Sequence, residues 1–247
     1  MEIQSLARGL KILELLAIPE HGVAITDLAD ELGIDKASAS RLVQTLVNYG
    51  YAERYEDTRR YQLGPQVVVL SRSLMTRMPL RQQAKPYLDQ LVQRTRECAH
   101  LAIPAQGQAL YIDQEESPSS LRVSTEVGTL APLHCTALGK VLLAFGKAPL
   151  GAEYKAYTLR TITNPEQLRV HLEQVVRQGY ATDDEEYEYS IHCIAAPVFD
   201  FRNKLVAAIG VSGPAARVTL ERIPAMAEIV TEVAKRLSDS LSFQRST

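Results

Sequence analysis

The sequence predicts an α/β chain of the α+β kind in two domains. A small module of three helices and a hairpin comes first, and a larger domain with a mostly antiparallel sheet follows. Three observations carry this. At 247 residues the chain falls between one and two domains of ordinary size. Its first 63 residues read helix, helix, turn, helix, hairpin. The remainder mixes strand-like and helical runs without the clean alternation that a parallel sheet requires. Composition agrees: 46% hydrophobic and 23% charged residues suit a folded chain with a substantial core. No apolar run approaches the ~18 residues of a membrane span. The start, Met1-Glu2-Ile3-Gln4, lacks a signal-peptide pattern, and three cysteines fit a reducing compartment, so a cytoplasmic location is expected.

In the first helix Leu6, Leu10, Leu13 and Ala17 recur at helical spacing, widened by Ile3, Ile12 and Leu16, with Ser5 as the expected N-cap and Pro19 and Gly22 closing it. Thr26 is the expected cap of a second helix with Leu28, Ala29 and Leu32 on its apolar face, and Gly33 suits the left-handed residue after its end. Asp35 caps a third helix to about Tyr49, packed through Ala39, Leu42, Val43 and Leu46. Strand-like runs at 51–55 and 60–63 flank the turn Glu56-Asp57-Thr58-Arg59. This is the order of a winged helix-turn-helix over 1–63: Ala29 is small where two helices cross, Gly33 turns the chain, and Ile34, Ala39 and Leu42 lock the second helix of the pair on the first.

That geometry places the third helix in a major groove of double-stranded DNA. Lys36, Ser38, Ser40, Arg41, Gln44 and Thr45 lie on its outward face. Arg41 and Gln44 can each make two parallel hydrogen bonds, to guanine and adenine respectively. Lys36 and the wing residues Arg54, Arg59 and Arg60 are expected at phosphates. Charge is a modest guide. The chain carries a net −2; residues 1–63 hold seven basic and ten acidic side chains, but 36–63 hold five against three. Three short helices also occur in protein-interaction modules, and the wing and serine-rich face favour DNA.

After Gly64-Pro65 a linker helix is expected over 64–78. Its Val67, Val68, Val69, Leu70 and Leu74 are too apolar for a solvated linker and are expected to pack against a partner, plausibly a second subunit. The second domain, 79–247, then reads as follows. A helix runs from Pro79 to about Glu97, kinked or divided at Pro86. Strands follow at 98–104, 109–114 and 121–126. Helices come at 134–145 and 165–178, strands at 191–199 and 205–212 around a turn at 200–204, and a long amphipathic helix spans 219–243.

Four blocks carry a resemblance. They are Ser5-Leu6-Ala7-Arg8-Gly9-Leu10-Lys11-Ile12-Leu13, Pro132-Leu133-His134-Cys135-Thr136-Ala137-Leu138-Gly139-Lys140, the stretch from Gly179 to Glu186 with Ile191-His192-Cys193-Ile194-Ala195-Ala196-Pro197, and Ile209-Gly210-Val211-Ser212-Gly213-Pro214. In order and spacing the chain resembles the IclR family of bacterial transcriptional regulators. The resemblance implies a ligand-responsive repressor or activator that works as a homodimer or homotetramer on operator DNA. It also implies a C-terminal GAF-like effector-binding domain for a small carboxylic or aromatic acid, and no enzyme. Carried over by motif position, the effector residues are Ala137, Leu138, Asp183, Ile191, Cys193, Gly210 and Ser212. Relatives that bind small oxo-acids tend to have Ser at the position of Gly210 and glycines at the helix start. The departures here argue against a glyoxylate-like effector.

The residues read on their own point to the same place. A helix starting after Pro132 offers free amides and a positive dipole end to a carboxylate. Strand alternation puts Cys193, Ala195 and Pro197 on one face and His192, Ile194 and Ala196 on the other. Equally, Cys193 could be a core cysteine, Asp183 a solvated acid of an acidic loop, and Ser212 a strand-end partner. The pairs His134-Cys135 and His192-Cys193, with Cys98 and His100, raise a metal-responsive regulator as the alternative. Neighbours on a strand diverge, however, and no Cys-x-x-Cys or His-x-x-x-His spacing exists, so neither metal ligands, catalytic residues nor a cofactor are expected.

Overall fold

A computed structural model describes residues 2–18, 21–146 and 150–243, so Pro19, the expected helix closer, lies outside them. The chain divides into two compact units, Met1–Met78 and Pro79–Thr247. Among the described residues no helix is long and apolar enough to cross a membrane.

The first unit holds α1 (Gln4–Leu16), α2 (Ile25–Leu32), α3 (Lys36–Asn48), the hairpin β1 (Ala52–Arg54) and β2 (Tyr61–Leu63), and α4 (Gln66–Thr76). Its core is Ile12, Leu16, Leu28, Val43 and Ala52, with Leu42 and Leu46 packed against it. Gly33 is left-handed (φ 61°) and ends α2, and the Asp35 carboxylate accepts a hydrogen bond from Ser38 N (2.9 Å) at the start of α3. Two expected caps are not used. α1 starts after Ile3 and α2 after Ala24, neither with a side-chain cap. The buried stripe of α1 also differs from the expected one. Ile12 and Leu16 turn inward, while Ile3, Leu6 and Leu10 are exposed, because the core reaches only the C-terminal half of α1. Val68, Val69, Leu70 and Leu74 of α4 are likewise exposed.

The second unit is a six-stranded sheet, all of its pairings antiparallel, in the order β5-β4-β3-β8-β7-β6. The strands are β3 (Cys98–Ala105), β4 (Gln108–Glu115), β5 (Leu130–Pro132), β6 (Ala181–Asp184), β7 (Ile191–Phe199) and β8 (Leu205–Pro214). On one face lie α5 (Pro79–Thr95) and α8 (Ile223–Phe243), and on the other α6 (Ala137–Gly146), backed by α7 (Pro165–Gln178). Pro86 neither divides α5 nor ends it. α7 has the expected bounds, because Asn164 caps it by accepting from Glu166 N and Gln167 N and left-handed Gly179 closes it. α8 begins at Ile223, later than expected.

Two expectations about strands fail. Segment 121–126 is irregular. Cys98 Sγ donates to the carbonyl of Val123 (3.0 Å), and the third strand is β5 instead. The acidic run at 183–186 is not a solvated loop. Its first half is edge strand β6, with Asp183 3% and Glu186 6% exposed.

The core of the first unit makes a quantitative prediction. Leu28→Ala, at a fully buried position, should cost about 2–5 kcal/mol, read as lost hydrogen-exchange protection of the α1–α3 amides. A loss below 0.5 kcal/mol, roughly the range of surface changes, would contradict this packing.

Candidate DNA-reading face and effector cavity

Burying Ala39 and Val43 fixes the rotation of α3 and leaves Lys36, Ser40, Arg41, Gln44 and Thr45 exposed, with Ser38 half-buried. Arg41 Nη2 donates to Ser38 Oγ (3.1 Å) and Gln44 Nε2 to Asn48 Oδ1 (2.9 Å), both exposed bonds within the helix that a nucleic acid can replace. Thr45 Oγ1 donates to the Arg41 carbonyl (2.9 Å), so its proton is committed to its own helix. In the wing, Arg54 is on β1 and Arg59 at the turn (φ 55°), both exposed. Arg60 is engaged differently: its Nη1 donates to the Gly22 carbonyl (3.0 Å), next to the Val23–Tyr61 bridge. It fastens the wing to the chain between α1 and α2.

The second unit contains a cavity of about 420 Å³ between β3, β7, β8, the start of α6 and segment 123–126. That volume is within the roughly 300–1,000 Å³ of small-molecule pockets. Ala137, Leu138, Asp183, Ile191, Cys193, Gly210 and Ser212 all line it. Sheet register explains why residues so far apart meet. Cys98, Ser212, Cys193 and Asp183 form one cross-strand row, and His100, Gly210, Ala195 and Ala181 form the next on the same face. The alanines let α6 approach, since Ala181, Ala195 and Ala208 pack with Ala137, Leu138, Val141 and Leu142. Gly210 is required by close approach, for a Cβ there would lie 2.8 Å from Cβ of Ala195.

His100, Tyr111, Thr136 and Tyr187 also line the cavity and were not anticipated there. For His100 a signal existed in its two-residue spacing from Cys98 on a predicted strand. Tyr111 arrives only through the β3–β4 register, and Tyr187 through the turn after β6. His100 Nε2 is 2.6 Å from Ser212 Oγ, while its Nδ1 is buried without a hydrogen-bond partner. The start of α6 is three residues later than expected, because Thr136 caps it: its hydroxyl oxygen accepts from Gly139 N (3.1 Å). The leading amides, on Ala137 and Leu138 of the cavity wall, have no acceptor within the helix.

The wall includes Glu126, Asp183 and Glu188 but no lysine or arginine among the lining residues. Burial pushes the Asp183 carboxyl up from an ordinary 3.8 to about 7, against the opposing pull of Lys140 and of the hydrogen bond from Glu186 N. Burial pushes His100 down from 6.5 to about 4, so its ring is neutral. It also raises the Cys193 thiol well above its usual range, and the neighbouring Asp183 adds to this. That keeps Cys193 protonated, without the thiolate that a nucleophile needs. Behind the wall Lys140 is fully buried and pairs with Glu186.

The His/Cys arrangement raised as a metal alternative does not assemble. His192 and Cys193 face opposite sides of the sheet, and His134 stacks on Tyr154 (4.8 Å) with Nε2 at the Lys155 carbonyl. Among the described residues no metal-capable group of three includes a cysteine.

A winged helix with an outward polar helix face, joined to a domain enclosing a small-molecule cavity, defines a DNA-binding sensor. Comparison with known proteins specifies which. Residues 5–56 match the IclR helix-turn-helix domain and residues 72–239 the bacterial transcriptional regulator IclR C-terminal domain. The chain belongs to the IclR family of transcriptional regulators. It is 34% identical over 243 residues to the HTH-type transcriptional regulator BhcR of Paracoccus denitrificans, covering 96% of this chain and 86% of that one. It is 32% identical over 247 residues to XynR of Escherichia coli, covering 98% of both. An IclR homologue from Microbacterium hydrocarbonoxydans, crystallised with 4-hydroxybenzoate, superposes with a TM-score of 0.78 at 25% identity, covering 98% of this chain and all of that one. These relatives are regulators, not enzymes.

Two of the shifted groups, Asp183 and His100, oppose each other in the pH dependence of stability. Asp183 stabilises the fold below about pH 4, and this is lost as pH rises to about 7. His100 stabilises it above 6.5, and this is lost as pH falls to about 4. Between 4 and 6.5 they offset each other. Asp183→Asn should therefore remove the opposing contribution, giving a chain whose denaturant midpoint falls more steeply on acidification through this window than that of the wild type. Parallel profiles for the two proteins would refute the assignment.

Proposed function

We propose that this chain is a ligand-responsive regulator that reads operator DNA with α3 and the wing, and holds a small organic acid, of the carboxylic or aromatic class, in the cavity. It works as a homodimer or homotetramer, for which the exposed apolar side chains of α1 and α4 are the natural contacts. On DNA, Arg41 and Gln44 read bases with Ser38, Ser40 and Thr45 beside them. Lys36, Arg54 and Arg59 meet phosphate. Arg60 joins them only by giving up the Gly22 carbonyl.

One observation carries the effector reading: a cavity of about 420 Å³ opens at the start of α6, with the leading amides of that helix and the Ser212–His100 pair in its wall. An acid entering here meets neutral donors and helix amides in place of a cationic side chain. The homologue with bound 4-hydroxybenzoate supports the aromatic-acid class.

The test is a thermal-shift screen with 4-hydroxybenzoate and related acids. A bound acid at about 100 times its dissociation constant adds ~2.7 kcal/mol of stability. An anion beside Asp183 favours the protonated carboxyl, so binding should tighten as pH falls through about 7 and become pH-independent in Asp183→Asn. Ser212→Ala should abolish the shift. Acids that produce no shift at any pH would overturn the effector reading.

On DNA, Arg41→Ala should cost several-fold to over a hundredfold of specific affinity, about 1–3 kcal/mol, and spare random sequences. Arg59→Ala should weaken both alike and flatten the salt dependence by about one unit. The reverse pattern, measured by fluorescence anisotropy across salt concentrations, would exchange the two roles.

A further inference from the structure

On the face of the sheet away from the cavity, β6 and β7 bring a second set of ligating atoms together. Asp184 and His192 are cross-strand partners there, as Asp183 and Cys193 are on the cavity side. His192 Nε2 lies 2.9 Å from Asp184 Oδ1 and 3.9 Å from Glu185 Oε1. One ligand atom from each of the three residues falls within 4.8 Å of the others. His192 is only 5% exposed, and its Nδ1 lies 2.6 Å from the carbonyl oxygen of Val218. A carbonyl only accepts, so Nδ1 carries a proton and Nε2 is the nitrogen that faces the carboxylates. Nε2 is buried and makes no hydrogen bond, though it lies beside a carboxylate oxygen of Asp184. Ligating atoms from three side chains converge, and the imidazole is oriented through its other nitrogen on a backbone carbonyl, as metal-ligating histidines are.

We propose that Asp184, Glu185 and His192 form a site for a divalent transition metal, with zinc the matching ion. One imidazole and two carboxylates are zinc donors, and they leave a fourth position of the tetrahedron for water. The nitrogen donor selects against magnesium and calcium, which prefer all-oxygen sites. Arg160 keeps the acids neutralised without the ion: its Nη1 is 2.6 Å from Asp184 Oδ1 and its Nη2 3.5 Å from Glu185 Oε1. Its side chain is half exposed, so solvent can take over its charge when an ion displaces it. The segment that carries it stays put when it leaves, because Thr158 and Thr161 donate to the carbonyls of Glu185 and Glu186 (2.7 and 2.6 Å). Ser190 N donates to Glu185 Oε2 (2.9 Å), holding the other oxygen toward the site. Metal and guanidinium therefore exchange at one pair of carboxylates, and the ion clamps edge strand β6 to β7.

Calorimetric titration of chelator-treated full-length chain with zinc sulfate tests this. One zinc per chain should bind, and magnesium at the same concentrations should give no heat. Asp184→Asn and His192→Gln should each weaken zinc by about tenfold or more. Arg160→Ala should tighten it by removing the competing cation. Zinc should raise the melting temperature of the wild type and not of Asp184→Asn. Should His192→Gln fail to fold, Asp184→Asn and Glu185→Gln, at more exposed positions, decide alone. Zinc uptake that is insensitive to both, magnesium binding equally well, or an Arg160→Ala chain that binds more weakly would each overturn the proposal.

Discussion

A lysine with no exposed surface sits on α6, among the most apolar side chains of the molecule, and Glu186 beyond β6 supplies its counter-charge. Burying both ions is costly, and removing one partner leaves the other stranded at a cost of about 3–5 kcal/mol. The pair is thus weak evidence for stability but a strong constraint on geometry. It fixes α6 against the turn after β6, which sets where Asp183, Tyr187 and Glu188 meet the cavity. It also sets the field at Asp183, whose ionisation burial opposes and Lys140 favours. The cavity is the space left when that pairing is satisfied.

The sheet works as a partition. Alternation sends Asp183 and Cys193 to the α6 side and Asp184 and His192 to the other, so one pair of strands serves two chemical environments a residue apart. Cross-strand rows of alanine and glycine bring α6 close at one end, and polar side chains replace them at the other. Ser212, His100 and Cys193 accordingly occupy the place where the close packing stops.

Elements whose signals are local were legible in the sequence. α7 carries its own cap and its own terminating glycine, and α3 declares itself through Asp35 and the spacing of Ala39 and Val43. The seven cavity residues taken from motif position came together because β7 and β8 are long, strongly patterned strands. What failed to show depended on distant partners. The acids at 183–186 look solvated until a buried lysine more than forty residues earlier is placed beside them. Segment 121–126 has strand-like composition but takes no part in the sheet, and its Val123 carbonyl is tied to Cys98 at the start of β3. α1 has more apolar residues than its core contact needs, so periodicity alone did not say which of them face inward. Tyr111 and Tyr187 carry no mark in sequence of lining a cavity.

Gly210 constrains how this protein's ligand preference can diverge. A side chain introduced there would collide with Ala195 and the backbone of the adjoining strand before it reached any guest. A hydroxyl at 210 therefore cannot be gained alone; the spacing between β7 and β8 has to widen first, or change together with it. Evolution of specificity at this wall proceeds by coupled substitutions, and a lineage that acquires the glycine has difficulty retracing its path. The missing atom acts as a ratchet on descent as well as a boundary of the cavity.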